Sequence, residues 1–414
     1  MPAARIRVTV PELLAALVCA GMPGLAAPAS GVTVFVHVNL IDGVSPDPRF
    51  DATVLVRDGR IESIVTGTAD IPDGAQVVDL ANRWMLPGLI DAHVHLSDLD
   101  SARNALRAGV TTVRSLGSNH FVDVGIRELR GSGAADLPDV VAAGYHVRHH
   151  MSEQFFIDTP QLWTTMNGLS GEADVRNAVR ALAARNVDVI KVMATERAGV
   201  SDADPLKRVL SDAELAAAAD EARSAGLAVA AHAHTDEAAR AAVLAGVRSI
   251  EHGTLLSEET LALMRDRGTC LVPTLSFWQD MLDAGGDYDD PVLKARAEAL
   301  LPRVSQATAL AWRMGVAVAA GSDMTYRPGG SRRVADEVAG LVSTGLPPME
   351  AIKAATSVAA KCLDIGTGTG AVRPELEADL VVVASDPLRD IGALRDVLLV
   401  VNDGVVVIDR LTVP

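Results

Sequence analysis

Apolar and polar positions along the chain fall into two patterns. Short β-branched runs at 32–38, 52–56 and 60–65, and again at 379–384, 397–401 and 405–408, are separated by the turns Asp42-Gly43, Asp58-Gly59 and Asp403-Gly404. Runs of this kind joined at Asp-Gly turns predict small antiparallel units. Their presence at both ends predicts that the two ends pair into one accessory sheet. Between them, strand-like and helix-like periods alternate. Strands are predicted at 85–95, 111–115, 140–143, 187–193, 228–232, 249–252, 269–273 and 317–321. Helices are predicted from the capping box Ser211 to Glu214 as far as Ala225-Gly226, at 172–185, at 237–245 with Gly246 as the stop, at 334–343 and at 348–363. Eight strands alternating with helices are what a closed parallel barrel needs. The expected fold is therefore α/β, a (β/α)8 TIM barrel over 85–365 with a small β-sandwich domain built from 30–84 and 366–414.

Composition narrows the function. With 414 residues, 49% of them hydrophobic, the chain can bury a large core, and at 3% aromatics that core must be built from Ala, Val and Leu. A net charge of −16 argues against nucleic acid or an anionic membrane surface as partner. Arg5 and Arg7, an apolar stretch at 13–20 and the small-residue end Ala27-Pro28-Ala29 predict a signal peptide over 1–29, hence a periplasmic or secreted protein. The apolar stretch is too short for a membrane anchor, and the residues before Cys19 do not suit a lipidated cysteine. Cys270 and Cys362, without metal-site spacing, are expected to be buried free thiols.

The candidate chemistry begins with His93 and His95 in LPGLIDAHVHL. Alternate residues of a strand point the same way, so both imidazoles can reach one metal ion, at the strand end where barrel chemistry sits. Lys191, in NVDVIKVMAT, is a charged residue in an apolar run and needs a reason to be there. Either it pairs with a carboxylate, or its amine is carbamylated and bridges two metal ions. His232 in VAAHAHT, His252 in SIEHG and Asp323 in AAGSDM each sit just past an apolar run. Six such residues on strands one, four, five, six and eight form a metal-binding constellation.

These motifs, together with GVTTVRSLG at 109–117, AGVRSIEHG at 245–253, LVPTL at 271–275 and ADLVVVASDPL at 378–388, resemble the amidohydrolase superfamily. The likeness is to its imidazolonepropionase-like branch of prolidase-like and Xaa-Arg dipeptidases and ochratoxinase-type amidases. The resemblance implies that His93, His95 and Asp323 hold one divalent ion, that His232 and His252 hold another, and that carbamylated Lys191 bridges them. Zinc suits such nitrogen and oxygen donors, with manganese or cobalt as substitutes. Hydroxide generated between the ions would attack a carbonyl, with Asp323 as the base that takes the proton and returns it to the leaving amine. The implied activity is hydrolysis of an amide or peptide bond to a C-terminal amino acid, as in a dipeptidase or carboxypeptidase, including ochratoxin-type N-acyl amino acids.

Two loops depart from the relatives' pattern. AAGYHVRHH at 142–150 replaces a glycine-rich stretch and crowds Tyr145, His146, Arg148, His149 and His150 at the expected mouth, where Tyr145 or His146 are candidates for substrate contact. Ala194-Thr195-Glu196-Arg197 replaces a Ser-Gly-Gly-like turn, which brings in Arg197, and His234 is a further candidate for substrate contact. These departures leave open a hydrolase of carbamates, ureas, lactones or esters using the same centre. A non-catalytic metal-binding protein ranks lower because no ligand or base is missing, and ring hydrolases of the imidazolone type lack an equivalent of Lys191. A dipeptide or other small molecule as substrate and a homo-oligomeric state complete the expectation.

Overall fold

The structure is a computed structural model that describes residues 31–67, 69–330 and 332–411; the expected signal peptide lies outside them. Val32–Leu40 pairs antiparallel with Arg49–Arg57, which pairs with Arg60–Thr66, while Gln76–Asp79 and Trp84–Pro87 pair in parallel with Val32–Leu40. Leu380–Val383 pairs with Trp84–Pro87, and Val397–Asn402 and Val405–Asp409 follow. The two ends thus form one eight-stranded network enclosing its own apolar core, which includes Phe35, Leu40, Ile61, Met85, Leu380 and Leu399. The Asp-Gly turns sit where the pattern placed them. Gly59 and Gly404 take φ of 80° and 75°, and a Cβ on Gly404 would lie 2.6 Å from the Gly59 Cα, so turns from opposite ends of the chain pack backbone to backbone.

The barrel strands Leu89–Val94, Val110–Ser115 and Asp139–Ala142 pair in parallel, as do Val189–Met193, Ala228–Ala233, Ser249–His252 and Cys270–Val272. Two seams close the ring. Asp188 donates its backbone N–H to the Ala142 carbonyl at 2.7 Å. At the eighth position, 317–324, single bridges take the place of a full strand: Val318 pairs with Leu271 and Met324 with Val94. Leu271 N donates to the Ala317 carbonyl (2.8 Å), and Ala92 N to the Ala320 carbonyl (2.9 Å).

Three expectations need correction. The strand expected at 85–95 is two, Trp84–Pro87 in the accessory sheet and Leu89–Val94 in the barrel. They part at Pro87-Gly88, and a Cβ on Gly88 would meet Thr111 Oγ1 at 2.1 Å. The helix expected at 348–363 breaks into Pro348–Ala354 and Ser357–Cys362 because Thr356 leaves helical geometry with φ −138° and ψ −104°. Cys270 and Cys362 are bonded to each other, with Cα atoms 6.2 Å apart across 92 residues of sequence. They were misread because nothing in their spacing shows that the final helix of the barrel folds back under its seventh strand. The other helices stand as expected. Asp212–Ser224 has its Ser211/Glu214 capping box, and Asp236–Ala245 ends on Gly246 at φ 93°.

The bond closes a long loop of the unfolded chain. Replacing both Cys270 and Cys362 by serine should cost about 2–4 kcal/mol of stability, and reductant should lower the melting temperature of the wild type but not of the double variant. Melting of the wild type that ignores reductant would contradict this.

Candidate metal centre

All parallel strands of the barrel end on one face, and their register gathers the candidate residues there. Met193 lies beside His232, Ala233 beside His252, and Asp323 donates its backbone N–H to the His93 carbonyl at 2.7 Å. His252 and Asp323 take φ of 71° and 57°. Non-glycine residues in this region cost about 1–3 kcal/mol each and persist only where their surroundings over-determine them.

Each imidazole has one nitrogen occupied by oxygen. His93 Nδ1 meets Glu251 Oε2 at 2.9 Å and His95 Nδ1 meets the Gly117 carbonyl at 3.1 Å. His232 Nε2 donates to the Glu196 carbonyl at 2.9 Å, and His252 Nδ1 meets Thr274 Oγ1 at 2.7 Å. Across the pocket, Asp323 Oδ1 lies 3.0 Å from His95 Nε2 and 3.5 Å from His93 Nε2. Burial, above all, pushes His93 down to about 4 and His232 and His252 well below the usual histidine value, so these rings are neutral and offer lone pairs. Burial opposes ionisation of Asp323 too, but His93, His95 and Lys191 outweigh it and hold the carboxylate ionised.

Lys191 reaches the same cavity. Its Nζ is buried and has no hydrogen-bond partner, and desolvation pulls it down to about 8 against the attraction of Glu251 and Asp323. A buried amine without a partner, beside neutral imidazoles and a carboxylate, is a donor set that fits divalent metal chemistry. Ligand atoms of His93, His252 and Asp323 lie within 4.8 Å of one another, as do those of His232, His234 and His252.

Behind these residues stands a polar network that the sequence reading missed. Buried Arg114 donates to the Ala92 carbonyl (2.7 Å), Ser249 Oγ (3.0 Å) and Glu251 Oε1 (2.9 Å). Burial works against the Glu251 carboxylate, yet Arg114, His93 and Lys191 hold it down at about 2. Asp91 accepts from Ser322 N (2.8 Å), Ser322 Oγ (2.5 Å) and Tyr326 Oη (2.8 Å), which anchors the loop that carries Asp323; burial nevertheless pushes it up to about 6. The available signal for Arg114 was the one used for Lys191, a charge inside an apolar strand.

The cavity above the cluster has a volume of about 590 Å³. His93, His95, Lys191, His232, His252 and Asp323 all line it, as do His146 and Arg197. Tyr145, expected as a substrate contact, does not line it. Its hydroxyl donates to Asp158 Oδ2 at 2.5 Å and accepts from His120 N at 2.8 Å, while its ring packs between Phe121 and Phe155. Nor do Arg148, His149 or His150 line it: Arg148 pairs with Glu196, and His149 with the helix-capping Glu214. His234 is also off the cavity wall, buried behind His252 with ring centroids 4.8 Å apart. Arg197 is exposed at the rim and has no ion-pair partner among the described residues. The following loop is gripped by Arg296, which donates to the carbonyls of Ala198, Val200 (2.9 Å), Ser201 (3.4 Å) and Ala203 (2.7 Å).

Comparison with known proteins agrees with this geometry. The Amidohydrolase family model matches residues 84–407. An uncharacterized protein of Mycobacterium tuberculosis is 34% identical over 370 residues, covering 84% of this chain and 90% of that one. Ochratoxinase of Aspergillus niger is 27% identical over 416 residues, 88% of this chain and 84% of that enzyme. Among solved structures, a Xaa-Pro dipeptidase with methionine bound in its active site superposes with a TM-score of 0.80 at 27% identity, over 91% of this chain and 99% of that one. The chain belongs to the amidohydrolase family and is a metal-dependent hydrolase of amide bonds.

Proposed function

We propose that the enzyme hydrolyses the amide bond between an acyl group and a C-terminal amino acid, a dipeptidase or carboxypeptidase-like reaction that extends to ochratoxin-type N-acyl amino acids. The observation that carries this reading is Arg197, a cation without an ion-pair partner among the described residues, on the wall of the same cavity as the His, Lys and Asp cluster. A substrate carboxylate answers that charge; an uncharged ester or carbamate leaves it unanswered. The likeness to a Xaa-Pro dipeptidase and to ochratoxinase supports the same substrate class.

In this reading His93, His95 and Asp323 would hold one divalent ion, zinc by donor type, and His232 and His252 would hold a second. Lys191, a buried amine without a partner, would contribute to holding both ions once carbamylated by carbon dioxide. Bound there, the ions supply an acidified water and polarise the scissile carbonyl. The remaining steps belong to the chain. Arg197 fixes the carboxylate of the leaving amino acid. His146, which burial keeps well below the usual histidine value and hence neutral, donates an N–H to the carbonyl oxygen as charge builds there. Asp323, ionised and facing His93 and His95, takes the proton of the attacking water and returns it to the departing nitrogen. Phe277, Tyr288 and Val200 offer apolar wall to the rest of the substrate. The Cys270–Cys362 bond, which oxidising compartments preserve, supports the export expected from 1–29.

The reading is tested by rates for zinc-loaded protein on a panel of N-acyl amino acids and dipeptides beside aryl esters and carbamates. Failure to cleave any amide with a free carboxylate overturns it. Asp323→Asn should fold and melt like wild type while kcat falls by about 10²–10⁴-fold; near-normal turnover would remove Asp323 from its role. Arg197→Met should lower kcat/KM for N-acyl amino acids by about 10–150-fold, as expected for a lost charged hydrogen bond of about 1.5–3 kcal/mol. It should leave substrates with a blocked carboxylate unchanged, and equal losses on both would refute carboxylate recognition.

A further inference from the structure

We propose that His234 is itself a metal donor, completing a three-imidazole site with His232 and His252. This rests on the reading that the pocket holds two divalent ions, and it adds a donor that the family resemblance does not supply.

The argument starts from where the nitrogens point. His234 Nδ1 is engaged by Thr254 Oγ1 at 2.8 Å, and the backbone on either side is tied down, His234 N donating to Thr195 Oγ1 (3.2 Å) and Leu255 N to the His234 carbonyl (3.1 Å). Its other nitrogen, Nε2, is buried with no hydrogen-bond partner, an arrangement that native interiors rarely leave standing. His232 Nε2 faces a carbonyl, which only accepts, so that nitrogen carries the proton and Nδ1 is the base. Thr274 holds His252 Nδ1 and Thr254 holds His234 Nδ1; where each threonine hydroxyl accepts from its ring, Nε2 is the base on both. One ligand atom from each of His232, His234 and His252 lies within 4.8 Å of the other two. In that tautomeric state the free nitrogens of His234 and His252 are acceptors with no donor between them, and a cation held by the triad satisfies them.

Simple core packing does not account for the arrangement. His234 stacks on His252 at 26° and meets Trp278 edge to face at 5.6 Å. Those contacts occupy the ring faces and leave the edge nitrogen unexplained. The count of donors points the same way. One imidazole nitrogen serves one ion, yet His252 belongs both to this triad and to the one with His93 and Asp323. Assigning His252 to the His232–His234 side leaves His93, His95 and Asp323 for the other ion. Each ion then has three side-chain donors besides Lys191, the number typical of sites that keep a position for water or substrate.

The test is zinc retention, read by chelator competition and metal analysis on the apo and reloaded full chain. Loss of an outer partner weakens metal binding by about 10–100-fold, so Thr254→Val should fall in that range. His234→Gln, a loss of the donor itself, should weaken one of the two ions by more than 100-fold and leave the other as in wild type. A smaller loss in His234→Gln overturns the proposal. Should that variant fail to fold, the wild type decides alone: the ¹⁵N resonance of His234 Nε2 must move when apo protein is loaded with zinc, and an unmoved resonance overturns the proposal. Wild-type protein that retains fewer than two ions sinks the dinuclear reading and this inference with it. Two ions in wild type with undiminished retention in His234→Gln sinks only the role of His234.

Discussion

Arg114 is a buried cation inside the barrel, and the orientation of the site depends on it. Its guanidinium ties together the first strand through the Ala92 carbonyl and the sixth through Ser249 and Glu251. The second oxygen of Glu251 holds His93 Nδ1, which turns the other face of that ring toward Asp323. A neutral residue at 114 would remove the cation hydrogen-bonded to the buried Glu251 carboxylate, and breaking a buried pair in this way costs about 3–5 kcal/mol. The network therefore couples the charge balance of the interior to the tautomer of a candidate ligand. Stability and chemistry meet in the same three side chains.

The backbone is under a matching constraint. His252 and Asp323 both sit at positive φ, where L residues are strained. Each lies where a strand gives way to a loop, and a residue that continued the strand would send its side chain along the alternation rather than across the mouth. The strain is held by neighbours: Gly253 N donates to the Ala233 carbonyl, and Asp91 grips Ser322 beside Asp323. Asp91 thus acts on the candidate base through a serine that never reaches the cavity.

This explains which parts of the site could be read in the sequence. His93, His95, Lys191, His232, His252 and Asp323 were legible because each is a polar residue at the end of an apolar strand, and period and position carry that information along the chain. All six line one cavity. The eight-fold alternation and the pairing of the two ends were legible for the same reason. Glu251 and Arg114 carried a comparable signal, a charge within a buried strand, but their meaning lies in the contact between them across 137 residues. The pairing of Cys270 with Cys362 was illegible for a related reason, since it depends on where a helix returns. The break at Gly88 depends on the approach of Thr111, a contact that no local pattern records.

Loops behave differently, because there residue type says little without the tether. Tyr145 and His146 are adjacent and both polar, yet one is clamped between Asp158 and the His120 backbone while the other lines the cavity. Arg197 and Arg148 differ likewise: Arg148 is neutralised by Glu196, and Arg197 is left facing the pocket. The loop after Arg197 is held by Arg296 entirely through backbone carbonyls. Such contacts are blind to the side chains of the loop they hold. The shape of the mouth can therefore persist while residues such as Arg197 change, which separates the part of the fold that positions the substrate from the part that selects it.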